Sequence, residues 1–196
     1  MGYGVDQVSD RVNVVPFPAE RRTYAGENTD GGGSVDSALF KQGMRRLASG
    51  VSIVSTEFEG KRHGLVATAV SSVSADPPTL LISIAQSASA HNFIVRSGRF
   101  GVSVLSGEDR GIAEKFSVPA LRARRFEFGE WTTLHTGAPL LATSLVGFDC
   151  LVAGETQVAS HTVFFGRVVG VRVSDGEIDP LLFWNGAYQT GHSDGS

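Results

Sequence analysis

The chain has 196 residues, 41% hydrophobic and 19% charged, with a mean hydropathy of +0.03, a composition that suits one soluble globular domain. Its 17 Lys and Arg against 20 Asp and Glu leave a formal charge of −3, which argues against nucleic acid as a partner, since phosphate binding needs a concentrated basic face. No apolar run reaches the roughly 18–20 residues of a membrane helix, and one cysteine, Cys150, supplies neither an internal disulfide nor a Cys-rich metal site. A reducing, cytoplasmic compartment is expected.

Residues 1–33 carry Pro16, Pro18 and the run Gly31-Gly32-Gly33 with few clustered apolar side chains. Such a segment cannot offset its ordering entropy alone, so it is expected to be a flexible arm. It lacks an apolar h-region, and Met1-Gly2-Tyr3-Gly4-Val5-Asp6 lacks the hydroxyl residue of a myristoylation signal. A domain is expected over 34–189, with a loose tail at 190–196. Leu39, Phe40, Met44 and Leu47 share a helical face that Ser34 or Asp36 can cap and Gly50 stops.

Strands follow. Val51–Thr56 alternates and runs into the turn pair Glu59-Gly60, and 64–74 is a small, β-branched run ending at Asp76-Pro77-Pro78. Thr79–Ala85 reads as a strand buried on nearly both faces. Helices are expected at 90–97 and 107–116, a strand at Phe100–Leu105, and a solvated loop at Arg122–Arg125. Two long strands fit Leu145–Val158 and Thr162–Val173, before a last apolar piece at Pro180–Tyr188. The pairs 51–56/64–72 and 145–158/162–173 are joined too closely for parallel crossovers, so an antiparallel barrel is favoured over a doubly wound sheet.

The chain lacks the usual catalytic signatures. No G-x-G-x-x-G opens a helix after a strand, no G-x-S-x-G surrounds Ser52 or Ser103, and the five histidines have no ligand spacing. What remains is the small and hydroxyl run at 64–74, followed by Ser87-Ala88-Ser89-Ala90-His91-Asn92. One reading is a crowded strand and a polar helix cap. The other is a lining for a flat ligand, with a phosphate at the start of the 90–97 helix. Composition does not choose between them.

Further motifs follow in order: Phe100-Gly101-Val102-Ser103-Val104-Leu105-Ser106, Arg125-Phe126-Glu127-Phe128-Gly129-Glu130-Trp131, Gly137-Ala138-Pro139-Leu140-Leu141, Phe148-Asp149-Cys150, Ser160–Val168 and Pro180–Trp184 through Tyr188. Over about residues 36–189 this ordered set resembles the flavin reductase family built on the FMN-binding split barrel. Within it, the set is similar to the reductase components of two-component flavin-dependent monooxygenases. The sequence departs from the family pattern at Val66, Ser103 and Ala159-Ser160.

The resemblance implies a mainly β, antiparallel split barrel with short helices, assembled as a homodimer. More apolar surface on 51–56 and 79–85 than one small barrel needs points the same way. It implies NAD(P)H:flavin oxidoreductase activity, with FMN or FAD as flavin, NADH or NADPH as co-substrate, and a flavin-dependent monooxygenase receiving the reduced flavin. Val66, Ala67, Thr68, Ala69, Ser71 and Ser72 are then expected to line the isoalloxazine, with Ser83, Ala85 and Gln86 alongside. Ser87 and Ser89 are candidates for the ribityl phosphate, with His91 and Asn92 at the rim and Lys115-Phe116 as a second approach. His161 is the expected nicotinamide-side catalytic residue, and Tyr188 an aromatic at the same cleft. The rival readings are a flavin-binding protein that stores or senses FMN, and an enzyme of the pyridoxamine-phosphate-oxidase type, which would want a basic phosphate cluster not evident at 64–92.

Overall fold

The computed structural model describes residues 35–191. The arm expected over 1–33, the alternative cap Ser34 and the tail beyond Gly191 lie outside them. The first helix, α1, is Ser37–Met44, and the Asp36 carboxylate caps it by accepting from the Ala38 amide at 3.0 Å. It stops well before Gly50, because Ser49–Gly50 (β1) pairs with a strand from the far end of the chain. Its apolar residues do not face the core: Leu39, Phe40 and Met44 are all exposed, as is Leu47 beyond its end.

The hairpin of β2 (Ser52–Phe58) and β3 (Lys61–Ala67) turns at Glu59 and Gly60, both with positive φ, where glycine is favoured. Next come β4 (Val70–Ala75), β5 (Pro78–Ala85), α2 (His91–Ser97) and β6 (Arg99–Val104). A 3-10 turn at Gly107–Asp109 leads into α3 (Arg110–Ser117), and a second 3-10 segment covers Pro119–Glu127. After the short β7 (Trp131–Thr132) and β8 (Leu140–Leu141), β9 (Val146–Val158) and β10 (His161–Val173) form a long hairpin. β11 (Leu181–Trp184) and β12 (Ala187–Thr190) complete the described elements.

Seven strands pair antiparallel in the order β3-β2-β6-β9-β10-β5-β4, while β1-β11-β12 and β7-β8 form smaller sheets. The two edge strands of the large sheet, β3 and β4, are consecutive in the chain, joined only by Thr68 and Ala69. A two-residue link spans roughly 10 Å at most, so the two edges of the sheet approach each other at that corner.

Four expectations need correction. The run 64–74 is not one strand: it breaks at Thr68-Ala69, and its halves pair with β2 and β5 at opposite edges. β5 alternates, with Leu80, Ile82 and Ile84 buried and the residues between them partly exposed, because one face meets the core. Arg122–Arg125 is not a solvated loop but part of a 3-10 segment in which Arg125 is 7% exposed. Val51, Ile53, Val54, Leu80, Ile82 and Ile84 are consumed by the chain's own core, so of the large apolar side chains on 51–56 and β5 only Leu81 stays partly exposed.

That core has two parts. Val54, Ile82, Ile84, Phe100, Cys150 and Phe164 belong to one cluster; Val51, Ile53, Leu105, Phe116, Leu141 and Leu181 belong to the other. Ile53 and Val54 are successive residues of β2, so its two faces serve different clusters. Each fully buried Phe contributes about 1.5–3 kcal/mol. Among the described residues no helix is long and apolar enough to cross a membrane.

Candidate functional site

The polar residues read from the sequence converge where β4, β5 and β10 lie side by side. Ala85 stands opposite His161 across β5–β10, and Ser83 opposite Val163. The Ser83 amide donates to the Ala69 carbonyl at 3.1 Å, and the Gln86 amide donates to the Ser160 carbonyl at 2.9 Å. These two bonds tie the 68–69 break, the end of β5 and the β9–β10 turn into one rim. Thr68, Ala69, Gln86, Ser87, Asn92 and His161 are exposed along it, and Ser89 is half-buried.

Ser71 and Ser72 face Leu81 and Leu80, so they step away from Ala85 down β4. At about 3.4 Å per residue, Ser72 lies some 17 Å along the sheet from the His161 end. The lining is therefore long. Ser71 reaches only a neighbouring carbonyl, at 3.4 Å, while the hydroxyls of Thr68, Ser72, Ser87 and Ser89 make no hydrogen bond among the described residues. Ala90 caps α2 without a side-chain acceptor. This is a set of uncommitted neutral donors and acceptors, suited to the amide edges of a flat heterocycle and to phosphate oxygens.

His91 is not a free rim residue. Its ring is buried, 5.5 Å from the Phe164 ring, and its Nε2 lies 2.8 Å from the Thr162 hydroxyl. The Nδ1 lies 3.2 Å from Asn92 Oδ1, which can only accept. Nδ1 therefore donates to Asn92, and Nε2 pairs with the Thr162 hydroxyl, which can donate or accept. His91 thus fastens the start of α2 to the residue after His161. The His161 ring is exposed, with Nδ1 3.1 Å from the Ser160 hydroxyl.

Three expected residues sit elsewhere. Phe116 is 1% exposed in the second cluster, against Phe126 and Trp131, so its side chain has no surface to offer. Lys115 places its ammonium 4.4 Å from the centre of the Phe128 ring. The Tyr188 hydroxyl is 3.3 Å from that of Ser117, and its ring packs on the second cluster together with Val66. Ala67, one residue on, is buried in the first cluster with Val70 and Ala88 against it. The 66–69 segment therefore runs between the Tyr188 side and the Ser87–His91 side.

Among the described residues no group of His, Cys, Asp and Glu could hold a metal. Burial and Asp149 push the Cys150 thiol up to about 12, which makes it inert. His63, stacked on Phe93 at 3.4 Å between ring centres, is shifted down, mainly by burial and then by Lys61. It lies away from the rim, on the β2–β3 hairpin. Sequence reasoning missed Thr162 and Ser160 as partners of the two histidines. Ser160 is the chain neighbour of His161, whereas Thr162 reaches His91 only through the tertiary fold, 71 residues along the chain.

The family model described as "Flavin reductase like domain" matches residues 44–192. The chain is 40% identical over 157 residues to FMN reductase (NADH) RutF 1 of Methylorubrum extorquens, spanning 80% of this chain and 77% of that one. It is 36% identical to FMN reductase (NADH) RutF of Stutzerimonas stutzeri over 76% of this chain and 85% of the relative. The solved styrene monooxygenase flavin reductase of Pseudomonas putida superposes with a TM-score of 0.72 at 31% identity, over 79% of this chain and 97% of that one.

Proposed function

Because the chain belongs to the family of flavin reductase-like domains, we propose that it is an NADH-dependent flavin reductase that supplies reduced FMN or FAD to a flavin-dependent monooxygenase. The observation that carries this reading, beside the family match, is the rim of uncommitted hydroxyls at Thr68, Ser72, Ser87 and Ser89, gathered where β4, β5 and β10 lie side by side, with no metal group among the described residues. Flavin held along this rim would supply the redox chemistry, as acceptor of the hydride that the nicotinamide gives up.

The chain's own residues then have holding and orienting work to do, which is where most of the acceleration of such a reaction lies. Thr68, Ala69, Ser71 and Ser72 offer backbone and hydroxyl groups along the flat ligand, with Ser83, Ala85 and Gln86 on the neighbouring strand. Ser87 and Ser89 are assigned to phosphate oxygens. His161 is assigned to the nicotinamide carboxamide, with Ser160 holding its ring. His91 acts through Thr162 and Asn92 as a positioning residue, not as a ligand contact. Tyr188 and Val66 close the other side.

Two finer features belong to the same reading. The edge strands β3 and β4 meet through Thr68-Ala69, which fits an antiparallel split barrel over the domain 34–189. The exposed apolar stripe of α1 fits a homodimer. A single buried cysteine suits a cytoplasmic enzyme.

The test is a kinetic matrix of NADH and NADPH against riboflavin, FMN and FAD. NADH oxidation that depends on added or retained flavin is the expected result. A protein that binds FMN tightly yet oxidises neither nucleotide would instead be a storage or sensor protein.

A further inference from the structure

Arg125 is 7% exposed, and its guanidinium is almost unused. Nη1 donates to the Gly64 carbonyl at 3.0 Å, Nε is buried with no partner, and Cζ lies 5.9 Å from the centre of the Phe116 ring. A single hydrogen bond leaves most of its N–H donors free. None of the ion pairs among the described residues includes it. Of the acidic residues nearest in the chain, Glu127 is already taken by Arg124 at 2.7 Å, and Glu130 makes no ion pair with Arg125.

The charge that acts on it is itself a cation. Burial and the charge of Arg122 both disfavour the protonated form of Arg125, and Lys115, on the helix packed against this segment, sits over Phe128 without a carboxylate. A buried cation held without a counter-charge is costly to the fold unless an anion arrives. Arginine is the side chain that matches phosphate oxygens in pairs.

We propose that Arg125, with Arg122 and Lys115 at its rim, is an anion site for a phosphate or pyrophosphate group carried by a nucleotide substrate. This rests on the flavin reductase reading for the identity of the carrier, but not for the site itself. The site is separate from Ser87 and Ser89. Arg125 is bonded to Gly64 on β3 and joins the second cluster through Phe116, the side to which Tyr188 belongs, whereas Ala88 packs on the first cluster. One anion position on each side of the 66–69 segment suits a substrate that carries phosphate beyond the ribityl phosphate. The adenylate half of FAD and the pyrophosphate of NADH both qualify.

The test uses the full chain with Arg125→Gln, which keeps a donor for the Gly64 carbonyl but removes the charge, and Arg125→Lys, which keeps the charge. Inorganic pyrophosphate at low ionic strength should raise the melting temperature of the wild type and of Arg125→Lys, and not that of Arg125→Gln. In turnover, Arg125→Gln should raise one KM by roughly ten- to a hundredfold, the scale of a lost charge-assisted hydrogen bond. A rise for FAD but not FMN or riboflavin assigns the FAD adenylate half. A rise for NADH with every flavin, but not for reduced nicotinamide riboside, assigns the pyridine nucleotide. If Arg125→Gln does not fold, the double variant Arg122→Gln/Lys115→Gln must weaken the pyrophosphate response. No pyrophosphate shift in the wild type, or an Arg125→Gln protein with wild-type shift and every KM unchanged, reduces Arg125 to a brace for β3 and overturns the proposal. Failure of the wild type to oxidise NADH with any flavin would instead sink the reductase reading, while the pyrophosphate shift still tests the site.

Discussion

His161 and Thr162 are neighbours on β10 that point to opposite faces, one exposed and one buried at 5%. Their substitutions should therefore separate. His161→Ala removes an exposed ring whose hydrogen bond among the described residues is to Ser160, so its stability should stay within about 0.5 kcal/mol of wild type. Loss of one contact worth about 0.5–1.5 kcal/mol should raise the KM for NADH, or lower kcat, two- to more than tenfold. Thr162→Val keeps the shape but removes the hydrogen-bond partner of His91 Nε2, which leaves a buried ring nitrogen unpaired. Its cost is about 1–3 kcal/mol of stability. Urea unfolding and NADH kinetics on both variants check the pair; a kinetically silent His161→Ala would make it a solvated rim histidine.

At the scale of elements, the long β9–β10 hairpin carries the rim at one end and the core in the middle. Its turn was legible as the join between two alternating apolar runs, and the strand bounds agree to within a residue. In the middle, Gly166 lets the Phe100 ring lie directly on β10: a Cβ there would drive into that ring and stand 3.0 Å from Cys150 Cβ. Because strands β6, β9 and β10 all meet at this point, the ring has little room to retreat. Gly166→Ala should cost about 1–3 kcal/mol, seen as a lower denaturant midpoint at unchanged slope. An unchanged midpoint would mean that the first cluster can repack. The 64–74 run was harder to read, since a stretch of small and β-branched residues looks alike whether it pairs with one strand or changes partner midway. Thr68 and Ala69 carry no turn residue that announces the break.

For the whole molecule, the question is what α1 does. A helix of this length is marginal in water by itself, and Val35, Leu39 and Phe40 are 70%, 61% and 61% exposed. If a second copy covers this stripe, light scattering at micromolar concentration should give a dimer mass, and Phe40→Asp should shift it toward the monomer. A wild-type monomer under those conditions would refute the homodimer.

Local signals in the sequence determined the strand-rich class, the antiparallel hairpins and the candidate rim at 66–72 and 83–92, because alternation, turn residues and runs of hydroxyls are properties of adjacent positions. The tertiary structure decided what depends on distant ones. Pairing of Ser49-Gly50 with Leu182-Phe183 cut the first helix short, and the β10–β5 register turned His91 from a ligand candidate into a link to Thr162. Of the arginines in Arg122–Arg125, only Arg125 is buried, because its guanidinium reaches a carbonyl 61 residues earlier in the chain. Nothing in a run of similar charged residues says which one a strand from elsewhere will cover.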